Sequence, residues 1–178
     1  IREAEALRYD LGRLRVGLVG AELVSRKSLA LFEERFAASG LGPTVLTPTY
    51  GLAENSLAVT MAPLDRRPEA ESVDLRSLQE EGRAVPSGSK ESLHRDVVSV
   101  GLPLPDTEVV IVGDDGEPLE DRRLGEIAVS SGSLMTSYRG DPQTTRTVLG
   151  NGRLLTGDVG YLLEGRLFVT GRKKEVIV

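Results

Sequence analysis

The chain has 178 residues, of which 39% are hydrophobic, enough for one substantial core or two small lobes. Its formal net charge of -5 offers no basic patch for nucleic acid, and no apolar run approaches the roughly 18 residues that a membrane span requires. The sequence has no cysteine, which excludes disulfides and thiolate chemistry and makes a reducing cytoplasm the expected location.

The first half of the chain alternates strand-like and helix-like segments. The apolar run RVGLVG at 15–20 predicts a strand. The apolar spacing within residues 25–40 predicts a helix that Ser25 caps and Gly40 ends. Two further strands are predicted, TVLTP at 44–48 and SLAVTM at 56–61. A strand, a helix and a strand of these lengths indicate a parallel pair in a layered α/β sheet.

Residues 62–95 differ in composition, with three prolines, many charges and only scattered apolar positions. This composition predicts a long, partly ordered segment, which we call the excursion. Long irregular segments of compact domains tend to be functional or mobile. After it, short runs rich in β-branched residues alternate with turn signals such as DDGE at 114–117, which predicts a small antiparallel sheet or distorted barrel. We therefore expect an α/β domain at 1–95 and a β-rich domain at 96–178.

Two glycine-bearing motifs come directly after the predicted parallel strands. Gly20-Ala21-Glu22 follows the first strand, and PTYGLAEN at 48–55 follows the second. Ligands of open α/β sheets bind beyond the carboxyl ends of strands, so the two motifs should be neighbours. A planar ring could lie between the face of Tyr50 and the thin backbone at Gly20, and Glu54 could offer a carboxylate to Mg²⁺ beside phosphate oxygens. Either motif could instead be a structural turn with a solvated glutamate.

Two later motifs carry a carboxylate and a guanidinium. TGDVGY at 156–161 places Asp158 close to two glycines, and Arg172 follows a glycine at the end of a predicted strand. An exposed carboxylate can accept two hydrogen bonds from a vicinal diol, and an arginine can hold the same sugar or a phosphate. Taken singly, Asp158 could be a local turn former and Arg172 part of a solvated basic face.

The order of these motifs resembles that of the adenylate-forming superfamily, which activates carboxylic acids with ATP as acyl-adenylates. The matching segments are GAE at 20–22, YGLAE at 50–54, GEIAVSS at 125–131, SYRGDPQTT at 137–145, TGDVGY at 156–161 and GRKKE at 171–175. The details are most similar to the fatty acyl-AMP ligases. Ala53 stands in YGLAE where many relatives have threonine, and residues 62–95 lie where those ligases carry extra sequence before a segment like VSVGLPLPDTEV.

The resemblance implies a role for each matching residue. Tyr50 would stack on adenine, Asp158 would bind the ribose hydroxyls, and Arg172 would contact the ribose and the phosphates. Glu54 would help hold Mg²⁺, and Glu54 and Arg172 would be the catalytic residues. The nucleotide-binding set would comprise Gly20, Ala21, Glu22, Tyr50, Gly51, Asp158 and Arg172.

Two departures from the family pattern mean that the resemblance does not settle the loop geometry near Ser137 or the behaviour of the hinge at Glu175. Ser137 stands where relatives usually have glycine, and Glu175 replaces the more common aspartate at the position that the resemblance assigns to the hinge.

The function implied is that of a segment of an ATP-dependent ligase. A fatty carboxylate would attack the α-phosphorus of ATP, and the acyl group would pass to the phosphopantetheine thiol of an acyl carrier protein. The family's phosphate loop would precede this segment and its lysine-bearing domain would follow it, so we expect the isolated chain to be inactive. The alternatives are an acyl-CoA ligase, an amino-acid-adenylating domain, or a non-catalytic nucleotide-binding remnant.

Overall fold

The structure is a computed structural model that describes residues 3–88, 93–150 and 152–175. Its first elements are α1 (Glu3–Ala6), β1 (Gly17–Val19), α2 (Arg26–Phe36), β2 (Leu46–Gly51) and β3 (Ala58–Met61). The predicted start of α2 is confirmed, whereas its α-helical part ends at Phe36, before the predicted end at Gly40. The Ser25 hydroxyl accepts a hydrogen bond from the Ser28 backbone N–H, and after one 3-10 turn Gly40 adopts a left-handed conformation with φ of 84°.

The strands β1 and β2 are parallel neighbours, in the register Gly17 to Leu46 and Val19 to Pro48, which confirms the predicted pair. The strand β2 continues further than the sequence predicted, because Thr49 and Tyr50 pair with the antiparallel β3. Tyr50 therefore lies within a strand, although PTYGLAEN had suggested a turn.

The excursion at 62–95 is more regular than predicted. It contains β4 (Ala70–Asp74) and α3 (Leu75–Glu80), and β5 (His94–Val98) follows. The strands β4 and β5 pair antiparallel along their whole length, from Ala70 with Val98 to Asp74 with His94. Asp74 also caps α3, because its carboxylate accepts a hydrogen bond of 2.8 Å from the Ser77 backbone N–H. The predicted boundary between residues 95 and 96 falls inside β5, and the division into two domains stays a prediction.

The remaining elements are β6 (Leu102–Pro103), β7 (Thr107–Val112), β8 (Gly125–Ser131), α4 (Pro142–Val148), β9 (Leu149–Gly150), β10 (Arg153–Leu163) and β11 (Arg166–Arg172). The strand β6 joins the first sheet, whose order is β1-β2-β3-β6. The other strands form an antiparallel sheet in the order β11-β10-β8-β7, with β9 beside β10. The mixed α/β first part and the antiparallel second sheet confirm the predicted fold class.

Two apolar clusters join these layers. The larger one connects the two main sheets and consists of Tyr50, Val59, Val100, Val109, Ile111, Ile127, Val129 and Leu167. The second packs the excursion against the β10–β11 hairpin and consists of Val73, Leu78, Ala84, Val97, Tyr161 and Phe168. In it the rings of Tyr161 and Phe168 stack at a centroid distance of 4.8 Å. Among the described residues, no helix is long and apolar enough to cross a membrane.

Candidate active site

The two glycine-bearing motifs of the first sheet lie side by side. A Cβ on Gly20 would come within 2.5 Å of the Thr49 carbonyl oxygen, so only glycine permits this close approach at the ends of β1 and β2. Ala21 follows with a φ of 68°, an uncommon conformation for a residue with a side chain, and both Ala21 and Glu22 are exposed. The structure thus places Gly20, Ala21 and Glu22 next to the strand that carries Tyr50.

Three residues from separate elements meet at the carboxylate of Asp158. The Tyr50 hydroxyl donates to Oδ2 at 2.8 Å, and the Arg172 Nε donates to Oδ1 at 3.0 Å. Asp158 and Arg172 face each other on β10 and β11, and the Asp158 side chain is only 13% exposed. A carboxylate can accept about four hydrogen bonds, so each oxygen keeps acceptor capacity for a further donor.

Tyr50 belongs to the core as well as to the candidate site. It is 9% exposed and packs in the larger apolar cluster, while its hydroxyl reaches Asp158. Burial, and then the nearby charge of Asp158, raises the pKa of Tyr50 well above its usual value, so the hydroxyl stays protonated and donates. Because so little of the ring is exposed, its stacking on adenine stays a prediction.

Glu54 lies in a one-turn 3-10 helix, Ala53–Asn55, directly after β2. The chain folds back tightly there, since a Cβ on Gly51 would lie 1.9 Å from the Leu57 carbonyl oxygen. The Tyr138 hydroxyl donates to Glu54 Oε1 at 2.6 Å, and the Met135 backbone N–H donates to the Glu54 carbonyl at 2.7 Å. The hydrogen bond with Glu54 raises the pKa of Tyr138 to about 12.

The fit of this site to Mg²⁺ depends on the second carboxylate oxygen of Glu54. No described residue donates a hydrogen bond to Oε2, and within the described ranges no group of three or more His, Cys, Asp or Glu side chains could hold a metal ion by itself. Mg²⁺ is usually bound by one or two carboxylates together with waters and substrate phosphates. Glu54 therefore suits an ion that a bound nucleotide helps to hold.

Sequence reasoning missed the contacts of Tyr138, Glu126 and Thr156, although all three lie in motifs that resemble the family. Glu126 accepts hydrogen bonds from the Gly157 backbone N–H and from the Lys173 ammonium group, and Thr156 accepts one from the Asp158 backbone N–H. Periodicity gave no signal for them, because each contact depends on a turn that departs from the regular strand pattern. Glu175 ends the short 3-10 helix Lys173–Glu175, but its side chain is outside the described part, and its hinge role stays a prediction.

A model of the AMP-binding enzyme family matches residues 2–139. The chain belongs to the AMP-binding enzyme family. Within this family it is 36% identical over 173 residues to a Caulobacter vibrioides protein that is provisionally named an acyl-CoA synthetase, covering 96% of the chain and 30% of that protein. It is 32% identical to the 4-hydroxyphenylalkanoate adenylyltransferase of Mycobacterium tuberculosis, covering 95% of the chain and 29% of that enzyme.

Solved structures of AMP-binding enzymes agree with this fold. A structure from work on the fatty acyl-adenylate ligases of E. coli and L. pneumophila superposes with a TM-score of 0.91 at 36% identity, over 98% of the chain and 32% of that protein. A fatty acyl-adenylate ligase of L. pneumophila in complex with acyl adenylate and pyrophosphate superposes with a TM-score of 0.88 at 30% identity, over 99% of the chain and 32% of that enzyme. The chain spans about a third of the length of these relatives.

Proposed function

We propose that this chain is the part of a fatty acyl-AMP ligase that binds the adenosine of ATP and the Mg²⁺ that accompanies its phosphates. The observation that carries the proposal is the Asp158 carboxylate, which Tyr50 and Arg172 fix from two other elements. A carboxylate that is held rigidly and retains acceptor capacity is suited to the two adjacent hydroxyls of a ribose. The backbone of Gly20 and Ala21, at the ends of the neighbouring parallel strands, would line the position of the base.

In the proposed reaction, an oxygen of the fatty carboxylate attacks the α-phosphorus of ATP, the bond to the β-phosphate breaks, and pyrophosphate leaves. Arg172 would place its positive charge beside the sugar and the phosphates, while Asp158 keeps the guanidinium oriented. Glu54 would hold Mg²⁺, which supplies neutralisation of phosphate charge when bound. Tyr138 would fix the Glu54 side chain through its hydrogen bond. The work of these residues is positioning and charge stabilisation rather than covalent catalysis.

The proposed acyl acceptor is the phosphopantetheine thiol of a carrier protein in the cytoplasm. A similar protein of Teredinibacter turnerae, 27% identical over 194 residues, is named a medium-chain-fatty-acid–[acyl-carrier-protein] ligase. The competing proposal is an acyl-CoA ligase, and the provisional name of the Caulobacter vibrioides protein favours it. The two differ only in the acceptor thiol, so both require the same adenylation site.

The proposal is tested with D158N in the complete ligase. Asparagine has one acceptor oxygen instead of two and no negative charge, so it cannot hold Tyr50, Arg172 and both ribose hydroxyls together, and the KM for ATP should rise about tenfold or more. D65N is the matched control, because Asp65 is an exposed aspartate whose partner is its neighbour Arg66. Release of pyrophosphate, measured with ATP and a fatty acid, should be unchanged in D65N. Unchanged ATP kinetics in D158N would remove the ribose-binding role.

A further inference from the structure

The turn that presents Asp158 is an irregularity in the pairing of β10 with β8. Leu155 pairs with Ala128 and Val159 pairs with Glu126, so the three residues Thr156 to Asp158 lie opposite Ile127 alone. Such a bulge takes residues out of the ladder and turns their side chains to a new direction. Here it turns Asp158 towards Tyr50 on the other sheet.

A bulge of this size leaves backbone N–H groups without a partner in the ladder. Two side chains supply the missing acceptors. Glu126 Oε1 accepts from the Gly157 N–H at 3.0 Å, and Thr156 Oγ1 accepts from the Asp158 N–H at 3.1 Å. Gly157 has a φ of 74°, a conformation that suits glycine. The Glu126 side chain is only 13% exposed and Gly157 is half-buried, so losing the acceptor would leave the Gly157 N–H with poor access to water.

The second oxygen of Glu126 contacts the residue that follows β11. Glu126 Oε2 lies 3.1 Å from the Lys173 Nζ, and Lys173 is the residue after Arg172. Hydrogen bonds with Glu126 and then with Asp114 raise the pKa of Lys173, so its ammonium group stays charged at neutral pH. One carboxylate therefore joins the turn before Asp158 to the segment that carries Arg172.

We propose that Glu126 is a positioning residue for nucleotide binding, which holds the Gly157 turn so that Asp158 meets Arg172. It does not itself touch the nucleotide. The chemical requirement is an oxygen acceptor for the Gly157 N–H; the charge of Glu126 serves mainly the contact with Lys173. The effect on ATP rests on the proposed function, whereas the effect on the turn does not.

The test compares E126A, E126Q and K173M in the complete ligase, with E108Q as the control. Glu108 lies on the adjacent strand β7 of the same sheet, and its carboxylate pairs with Arg153. E126A should raise the KM for ATP about tenfold while leaving the KM for the fatty acid unchanged. E126Q, which keeps an acceptor oxygen, and K173M should remain within about threefold of the unaltered enzyme. A general loss of structure would change both KM values.

Hydrogen exchange of the Gly157 amide, measured by NMR without nucleotide, separates the two proposals. Exchange should accelerate at least tenfold in E126A and stay unchanged in E126Q and E108Q. Slow exchange in E126A, or equal KM changes in E126A and E126Q, would overturn the role of Glu126. If the unaltered protein binds no ATP, the proposed function fails and the exchange measurement alone decides about Glu126. Should E126A not fold, E126D replaces it, since its shorter side chain withdraws the acceptor from Gly157 and should give the same acceleration.

Discussion

The Tyr138 hydroxyl and the Glu54 carboxylate are joined by a hydrogen bond of 2.6 Å that spans 84 residues of sequence. This contact connects the turn after β2 with the loop after β8. The Ser56 hydroxyl donates to the Ser133 carbonyl in the same region, so the two loops are bound together at more than one point. The carboxylate proposed to hold the metal is therefore fixed by residues of the β-rich half.

The first prediction concerns the titration of Tyr138. Its pKa of about 12 is due mainly to the hydrogen bond with Glu54, and in E54Q this pKa should fall part of the way towards about 10, because a neutral amide oxygen accepts a weaker hydrogen bond and does not repel the phenolate. A phenol whose folded-state pKa is raised contributes stability that is complete below pH of about 10 and is lost as the pH rises through about 12. The Tyr138 ring resonance, followed by NMR against pH in both proteins, gives the measurement. An unaltered pKa in E54Q would show that the contact with Glu54 is not its cause.

The second prediction separates the proposed metal role of Glu54 from its structural role. Glutamine can still accept the hydrogen bond from Tyr138, so the melting temperature of E54Q should be nearly unchanged. Formation of acyl-adenylate in the complete ligase should fall about 100-fold or more, because a metal contact that stabilises phosphate charge is lost. E117Q, at an exposed glutamate in the turn after β7, is the control and should keep full activity. Retained activity in E54Q would remove Glu54 from the site.

The third prediction concerns the docking of the excursion. Leu78 of α3 is 4% exposed and packs with Tyr161 and Phe168 of the β10–β11 hairpin. In L78A the free energy of unfolding should fall by about 2–5 kcal/mol. Leu64, also in the excursion, is 47% exposed, and L64A should change the free energy of unfolding by no more than about 0.5 kcal/mol. Both free energies are measured by urea denaturation, and the dependence of the free energy on urea concentration should be the same in the variants and the unaltered protein. Equal effects of the two variants would mean that α3 is not packed as described.

The parts of the fold that the sequence predicted correctly are those governed by local rules. The start of α2 follows from a hydroxyl that can cap a helix at Ser25, and the end of the 3-10 turn after it follows from a residue that tolerates a left-handed conformation at Gly40. The parallel pair β1–β2 follows from the apolar runs on either side of that helix. The roles that the resemblance implies for Tyr50 and Asp158, on the adenine and the ribose of one nucleotide, require the two residues to lie close together, and the Tyr50 hydroxyl donates to Asp158 in the structure.

Other features depend on contacts that no local pattern carries. Val73 is fully buried because it packs, with Leu78, against Tyr161 and Phe168, far along the chain. A window around Val73 shows only prolines and charges with scattered apolar positions, so β4 and α3 were not predicted. Glu126 was missed for another reason. Its importance comes from the bulge at Thr156 to Asp158, and strand periodicity cannot place a bulge in advance.

The excursion also holds the β10–β11 hairpin through charged groups. Arg166 pairs with Glu69 at 2.7 Å, and the Arg95 guanidinium donates to the Thr170 carbonyl, also at 2.7 Å. Both contacts lie on β11, which leads to the predicted hinge at Glu175. A segment attached there can favour one arrangement of a domain that swings about the hinge, provided its contacts differ between the two arrangements. A bias of about 3 kcal/mol would lower the population of the other arrangement roughly a hundredfold.

The last prediction follows from this attachment. The complete ligase should form acyl-adenylate, load a holo carrier protein and make acyl-CoA poorly, because a carrier protein can offset the bias through its own surface while free coenzyme A offers fewer contacts.

Deleting the stretch between Pro63 and Ser92 is too severe a test, since it also removes Val73 and Leu78 from the core. E69A is milder, because it breaks one partly exposed ion pair and should raise acyl-CoA formation up to about fivefold. R76A is the control: it breaks the exposed pair Arg76–Glu80 within α3 and should leave acyl-CoA formation unchanged. Efficient acyl-CoA synthesis by the unaltered enzyme would favour an ordinary acyl-CoA ligase, and equal rates in E69A and R76A would show that the Arg166 contact does not restrain the hinge.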